Sequence, residues 1–408
     1  MTTETPGAPA SPPDEAVDVT SPRANIGRRF LQGDLGEVRV IIAIAVIWAI
    51  FQIQDSSFLT ATNLTNLVLQ ITAVGLISVG VVLVLLLGEI DLSVGAVSGL
   101  CAAIMAVLSV KHGWSPYLAI AAGVLAGTAI GLFQGFVSDF FGIPSFVVTL
   151  AGLLAWQGFL LLVLGDTGTV NITDPVITGL TGTFYSDVVG WVIAAVGIAA
   201  FAGLAFWSRQ RRERAGLSAP PLASLVVRVV LVAAAVIATV AVLNADRGVP
   251  LAGLILVGFV LIFQYMTGRT RFGRHIYAVG GNTEAARRAG ISISRIRIAV
   301  FMLASTMAAI GGIMAASRLL AVNQSSGASD LLLLAIAGPV VAGTSLFGGR
   351  GTVWTALLGA LVIGSISNGM DLLALESSVK FIVTGAVLLI AVVIDAIARK
   401  QRAATGRV

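Results

Sequence analysis

The sequence predicts an all-α polytopic membrane protein with about 10–12 transmembrane helices, and three observations carry that reading. Of 408 residues, 57% are hydrophobic and only 11% charged. Apolar runs long enough to cross a bilayer core, about 20 residues each, recur along nearly the whole chain with short polar joints between them. The basic residues are also sorted. With the N-terminus inside, all but four of the 25 lysines and arginines fall on the inner side, the exceptions being Lys111, Arg247, Arg318 and Lys380. That is the asymmetry of the positive-inside rule.

Residues 1–37 are rich in Pro, Ala and acids and read as a disordered cytoplasmic tail. Arg28 and Arg29 in "GRRFLQG" anchor topology; no small-residue cleavage site follows that would make the stretch an export signal. A transmembrane domain is expected over 38–397, with spans near 38–53, 68–88, 92–110, 115–137, 143–164, 188–207, 223–243, 251–267, 297–320, 331–347, 353–370 and 379–397. Twelve spans leave both termini on one side, and 398–408 forms a basic cytoplasmic tail. Ten full spans plus re-entrant segments fit the same pattern. In the fourth span Gly123, Gly127, Gly131 and Gly135 repeat on one drifting helix face. That face serves either close helix packing or sliding. The segment 165–187 carries three aspartates and no basic residue, and is expected to cap the outer mouth or meet an outside partner. The loop "WSRQRRERAGLSAPP" (207–221) reads as a cytoplasmic topology anchor.

Two places interrupt the apolar runs. In "LLLGEIDLSVGAVSGL" (85–100), Glu89 and Asp91 sit between apolar stretches with no real loop. In "VVAGTSLFGGRGTVWTALLGA" (340–360), glycines, Thr344, Ser345 and Arg350 do the same. Non-helical backbone at membrane depth survives only when buried in protein or lining a wet cavity, and charges there usually face a path or a partner. Both interruptions follow a span directed inward. They read as one feature in two parallel half-repeats, or as short cytoplasmic turns with solvated charges. Glu89, Asp91 and Ser93, with Gln157 and Asn368 from other spans, are candidate translocation-path residues. Hydrogen bonding to a neighbouring helix is the alternative use of each polar group.

The chain lacks the machinery of an ATPase or hydrolase. A phosphate-binding loop needs a lysine after its glycines, and Lys111, Lys380 and Lys400 all lie outside such a pattern. Cys101 has no partner for an intrachain disulfide, and His112 and His275 lie in loops on opposite sides. No catalytic residue, metal site, bound cofactor or nucleic-acid partner is expected; membrane lipid is.

The inner loop 268–296 carries the densest charge, and "NTEAARRAG" within it reads as a short helix with its own start and stop. Asn282 suits the N-cap. Glu284 sits near the positive end of the helix dipole, and Arg287 and Arg288 near the negative end. Gly290 suits the left-handed closing position. Two turns are too few to hold in water. Either a partner docks on the small surface of Ala285, Ala286 and Ala289, or the segment is a solvated loop.

"EAARRAG" matches the E-A-A-x-x-x-G core in the cytoplasmic loop of ATP-binding-cassette importer permeases. "FGRHIYAVGGNTEAARRAGI" resembles the longer form in sugar permeases of the ribose and xylose type, as do "GEIDLSVG" and "GTSLFGGRGT". The resemblance covers much of 68–397. It implies a separate ABC ATP-binding subunit that binds the ATP, an extracytoplasmic sugar-binding protein and a second permease copy in a bacterial plasma membrane. It also implies that Gly281, Asn282, Glu284, Ala285, Ala286, Arg287, Arg288 and Gly290 couple to the ATPase. Downstream, "VFML" (300–303) stands where the wider pattern has I-x-L-P. The chain between 188 and 250 is longer than ribose-type permeases need and similar to the xylose type, which points to a pentose such as xylose, carried by alternating access. The same class serving a nucleoside or an autoinducer-like furanone, or an ion-coupled secondary transporter, are the competing readings.

Overall fold

The computed structural model describes residues 36–404; the tail read over 1–37 lies outside them except for its last two residues. Among the described residues, helices stand at all twelve expected places. They are α1 Gly36–Gln54, α2 Ala61–Leu86, α3 Val94–Val110, α4 Pro116–Phe140, α5 Ser145–Leu164, α7 Asp187–Arg214, α8 Leu222–Asn244, α9 Leu251–Arg269, α12 Ile293–Leu319, α13 Ser329–Val341, α14 Trp354–Leu372 and α15 Ser377–Ala404. Three short helices complete the set: α6 Pro175–Gly182, α10 Arg271–Gly281 and α11 Thr283–Arg288. Eight of the helices are long and apolar enough to cross a membrane. The chain is therefore an all-α polytopic membrane protein.

Two of the remaining helices are short for a physical reason. The 17 residues of α3 rise only about 25 Å, and the 13 of α13 about 20 Å, against a hydrocarbon core of about 30 Å. Non-helical chain makes up the depth before each: residues 87–93 before α3 and 320–328 before α13. The start of α3 meets the second of these breaks inside the bundle. A Cβ on Gly95 would lie 2.8 Å from the Gly327 carbonyl oxygen, and Gly99 rests against Ser326.

The centre of the bundle is α2, 78% buried over its apolar window, with α12 at 61%; α7 and α8 lie at the periphery at 11% each. The central pair runs antiparallel: Gly80 faces Ala304 while Gly311 faces Ala73 and Ile77. The α4 glycine stripe lies along α12 and α3. Added Cβ atoms would sit 2.8 Å from the Cys101 carbonyl at Gly123, 2.6 Å from Ala309 Cβ at Gly127 and 2.9 Å from Ile298 Cα at Gly135, and at Gly131 would collide with Phe301. In lipid, dispersion between closely approaching backbones replaces the hydrophobic effect as the association force, so the stripe is packing surface.

Antiparallel α2 and α12 also recast the half-repeat. The break-and-short-helix units 87–110 and 320–341 follow helices of opposite direction, so they are related as inverted units, where the sequence suggests a parallel pair. Residues 321–328 lie in the sequence between two expected spans, where Ala321 and Val322 lead into the polar run 323–326. The 340–360 interruption meets 86–88 at one end of the bundle instead.

The opposite end is laced by strand pairs. β1 Thr169–Asn171 pairs antiparallel with β4 Ala321–Asn323, and β2 Phe184–Tyr185 with β3 Val249–Pro250. Asp174 caps α6 by accepting from the Val176 amide at 2.8 Å. The Thr181 and Ser317 hydroxyls, 2.8 Å apart, fasten α6 to α12. The segment 165–187 is thus folded onto its own chain. Nearby, Arg247 donates to Asn66 and Asp246 and lies 4.5 Å from the Phe184 ring centre. The Arg247 hydrogen bond holds the Asp246 carboxyl below the usual carboxylate range.

The stripe makes a direct prediction. Gly131→Ala, which drives a methyl into the Phe301 backbone, should cost about 1–3 kcal/mol. Gly197→Ala, with nothing within 4 Å, should stay within about 0.5 kcal/mol of the parent. Thermal unfolding of the two purified variants in one detergent reads the difference.

Candidate functional site at the arginine-rich end

Three segments remote in sequence converge at the end of the bundle opposite the strands. Thr270 Oγ1 accepts from the Gly273 amide at 3.1 Å and starts α10. Its buried face, Gly273, Ile276 and Val279, packs on the core, which leaves Gly280 pressed on α2. A side chain on Gly280 would overlap the Leu86 carbonyl; a Cβ on Gly348 would lie 2.6 Å from the Gly280 carbonyl and 2.9 Å from Gly88 Cα, and one on Gly349 2.9 Å from Gly281 Cα. The Gly349 amide donates to the Leu86 carbonyl at 2.9 Å. Tyr277 donates its hydroxyl to the Gly351 carbonyl at 2.8 Å, and burial pushes its pKa up, so it remains a donor. The end of α2, the end of α10 and the α13–α14 connector thus rest on one another backbone to backbone, with no side chain between to yield.

The two-turn helix α11 projects from this junction, and its ends are as the sequence dictates. Asn282 Oδ1 accepts from the Ala285 amide at 2.9 Å, a cap worth about 1 kcal/mol. Gly290 has φ +80°, and the Ile291 amide closes the turn on the Ala286 carbonyl at 3.1 Å. Ala286 is 4% exposed and belongs to the core beside Ile276 and Val279. Gly281, Asn282, Glu284, Ala285, Arg287, Arg288, Ala289 and Gly290 face outward. Of the three alanines, one docks on the chain itself and two are presented. Glu284 pairs within the helix with Arg287 at 3.0 Å and Arg288 at 3.7 Å; such exposed pairs stabilise little.

Beside the junction, Arg297 at the start of α12 donates to Glu89 at 2.5 Å and to Asp139 at 3.3 Å. This half-buried triad ties the 87–93 break to the ends of α4 and α12. Glu89, Ile143, Phe146 and Arg297 border an open depression of about 350 Å³. Sequence reasoning missed Arg297 and Asp139. Their signal was an arginine at the mouth of one span and an aspartate at the exit of another, both needing a partner.

The other candidate path residues lie in separate places. Asp91, 3% exposed, accepts from the Ser93 amide at 2.8 Å and the Ser93 hydroxyl at 2.7 Å. Ser93 in turn contacts the Gln134 amide at 2.9 Å. Asn368 exchanges hydrogen bonds with Asn63 at 2.8 and 3.0 Å and reaches Gln70 at 3.3 Å. Gln157 donates to the Gln324 carbonyl at 2.9 Å, near the strand end. Each of these residues bonds a neighbour within the chain, while Asp91 Oδ2, like Glu89 Oε2, is buried without a partner.

A family model described as branched-chain amino acid transport system / permease component matches residues 63–392. The chain is 38% identical over 368 residues to the xylose transport system permease protein XylH of Escherichia coli (strain K12), spanning 89% of this chain and 93% of that one. It is 34% identical over 363 residues to the protein of the same name in Haemophilus influenzae, spanning 89% and 96%. It is 32% identical over 370 residues to the ribose import permease protein RbsC of Escherichia coli (strain K12), spanning 90% and 97%. No solved structure matches.

The triad predicts an asymmetry. Arg297→Ala leaves the half-buried Glu89 and Asp139 without their counter-charge and should cost about 1–3 kcal/mol. Asp139→Asn, which keeps the Glu89 pair, should cost well under half of that. Paired melting curves of the two variants check it.

Proposed function

The chain belongs to the family of branched-chain amino acid transport system / permease components, and from that premise we propose that it is the membrane subunit of an ATP-driven sugar importer working by alternating access. A separate ATP-binding subunit hydrolyses ATP, and an extracytoplasmic binding protein delivers the sugar to the strand end. The arginine-rich end faces the cytoplasm of a bacterial cell, with both termini on that side. The observation that carries this reading is α11. It is a helix too short to hold alone, seated by Ala286 in the core beside Ile276 and Val279, with its charged outer face presented to solvent.

In this reading 268–296 is the coupling loop. Asn282 and Gly290 fix the ends of α11. Gly281 and Ala285 allow close approach of the ATPase, Ala286 holds the helix to the permease, and Glu284, Arg287 and Arg288 meet the ATPase groove. Closure of the ATPase subunits pushes α11. The push passes through Gly280 and Gly349 to the end of α2 and the break at 87–93. Glu89 braces that break through Arg297, and Asp91 with Ser93 anchors the start of α3. Gln157 and Asn368 brace the strand end. The names of the relatives at 38% and 32% identity support a pentose, xylose first.

The competing ion-coupled reading is weakened at two of the acids: Glu89 and Asp139 are paired with Arg297. Reconstituted vesicles separate the two. Uptake driven by ATP with the partner ATPase supports the importer; uptake that persists without the ATPase and collapses with the ion gradient contradicts it. Glu284→Arg should leave membrane insertion intact, abolish uptake and loosen ATPase binding; normal uptake by that variant counts against the coupling role.

A further inference from the structure

The α13–α14 connector enters the junction through its glycine backbone. Gly348 and Gly349 bear on Gly280 and Gly281, and Gly351 offers its carbonyl to Tyr277. The rest of the connector is tied to itself. The Ser345 amide donates to the Arg350 carbonyl at 3.1 Å, and the Phe347 amide to the Ser345 hydroxyl at 3.2 Å. The Thr344 and Thr355 hydroxyls lie 2.5 Å apart. Between Phe347 and Arg350 the chain turns at Gly348, whose φ of +84° is open to glycine without a steric penalty.

This tight turn presents two side chains. Phe347 is 58% exposed and Arg350 is exposed, while Thr344 is buried and Ser345, Leu346, Gly348 and Gly349 are half-buried. Among the described residues no carboxylate forms an ion pair with Arg350. Aromatic residues and arginine are the types enriched where proteins meet, and a turn already tied in place loses little entropy when a partner covers it. Position selects the partner. Gly349 lies against Gly281, the residue before the cap of α11, so a protein covering the outer face of α11 also reaches this turn. Charge points the same way. Arg269, Arg271, Arg274, Arg295 and Arg350 are all exposed, and residues 268–296 and 343–353 hold one acid, Glu284. Such a surface favours a partner that presents carboxylates.

We propose that the turn 345–350 is a second docking point for the ATP-binding subunit, which receives Phe347 in an apolar notch and meets Arg350 with a carboxylate. The inference rests on the importer reading and extends it. The ATPase then holds the junction at two points, α11 and the α13–α14 connector, so that its closure moves the platform together with the helix that stands on it. Bilayer lipid and a second copy of this chain are the other occupants, and the test separates them.

The test uses the complete complex in nanodiscs, with a photo-crosslinking phenylalanine analogue placed at Phe347 or, separately, at Ala285. Both positions should crosslink to the ATP-binding subunit. A crosslink from Ala285 without one from Phe347 overturns this inference and leaves the importer reading standing. Capture of lipid or of a second permease copy from Phe347, in place of the ATP-binding subunit, overturns it too. No crosslink to that subunit from either position overturns both. Phe347→Ala with Arg350→Ala should weaken binding of the ATP-binding subunit at least about tenfold, two interface contacts being lost. The melting temperature of the permease alone should stay unchanged, because both side chains are exposed in it. Parental affinity in the double variant would also overturn the proposal, and the crosslinks decide the matter if that variant folds poorly.

Discussion

The structure turns on a place where nothing larger than hydrogen fits. At Gly280 the backbone of α10 lies on the last carbonyls of α2, and Gly348 and Gly349 press on it from the other side. Contacts between side chains can slip by rotamer changes, but contacts between backbones cannot, and packed protein resists continuous deformation. The end of the central helix, the platform of α11 and the α13–α14 connector are therefore obliged to move as one piece. In the proposed importer this is how a helix of six residues acts on a bundle: its own fold contributes almost nothing, and the platform beneath it carries the load.

The Arg297 triad and the inverted short helices place the consequences of that movement. Glu89 stands one residue past Gly88, so whatever displaces the junction also pulls on Arg297, and through it on α4 and α12. The break at 87–93 then leads into α3, whose first turns meet the 320–328 segment and α13. The two breaks enter from opposite ends of the bundle, and the start of α3 meets the second where Gly95 rests on Gly327. In the proposed importer, a push at one end would open one approach while tightening the other, as alternating access requires.

What the sequence showed and what it hid divide along a physical line. The twelve helices were legible because a bilayer enforces internal hydrogen bonding over long apolar runs. The ends of α11 were legible because capping is local: Asn282 and Gly290 answer to neighbours three or four residues away. Partners across the fold were not. Glu89 reads as a path or brace residue until Arg297, 208 positions later, is found against it. Asn368 likewise reads as a solute contact until Asn63 and Gln70 are found to use it. The inverted relation was hidden because 320–328 descends into the bundle through Gly95 and Gly99, a fit that depends on absent side chains rather than on any polar signature.

The central claim is that the junction transmits motion without deforming. It is tested by spin labels on cysteines placed at Ala285, Ile90 and Trp114, all exposed, with native Cys101 buried. The account predicts that, in the complete complex, trapping nucleotide changes the distance from Ala285 to Trp114 at the strand end and leaves the distance from Ala285 to Ile90 fixed. A changed Ala285–Ile90 distance beside an unchanged Ala285–Trp114 distance would contradict it.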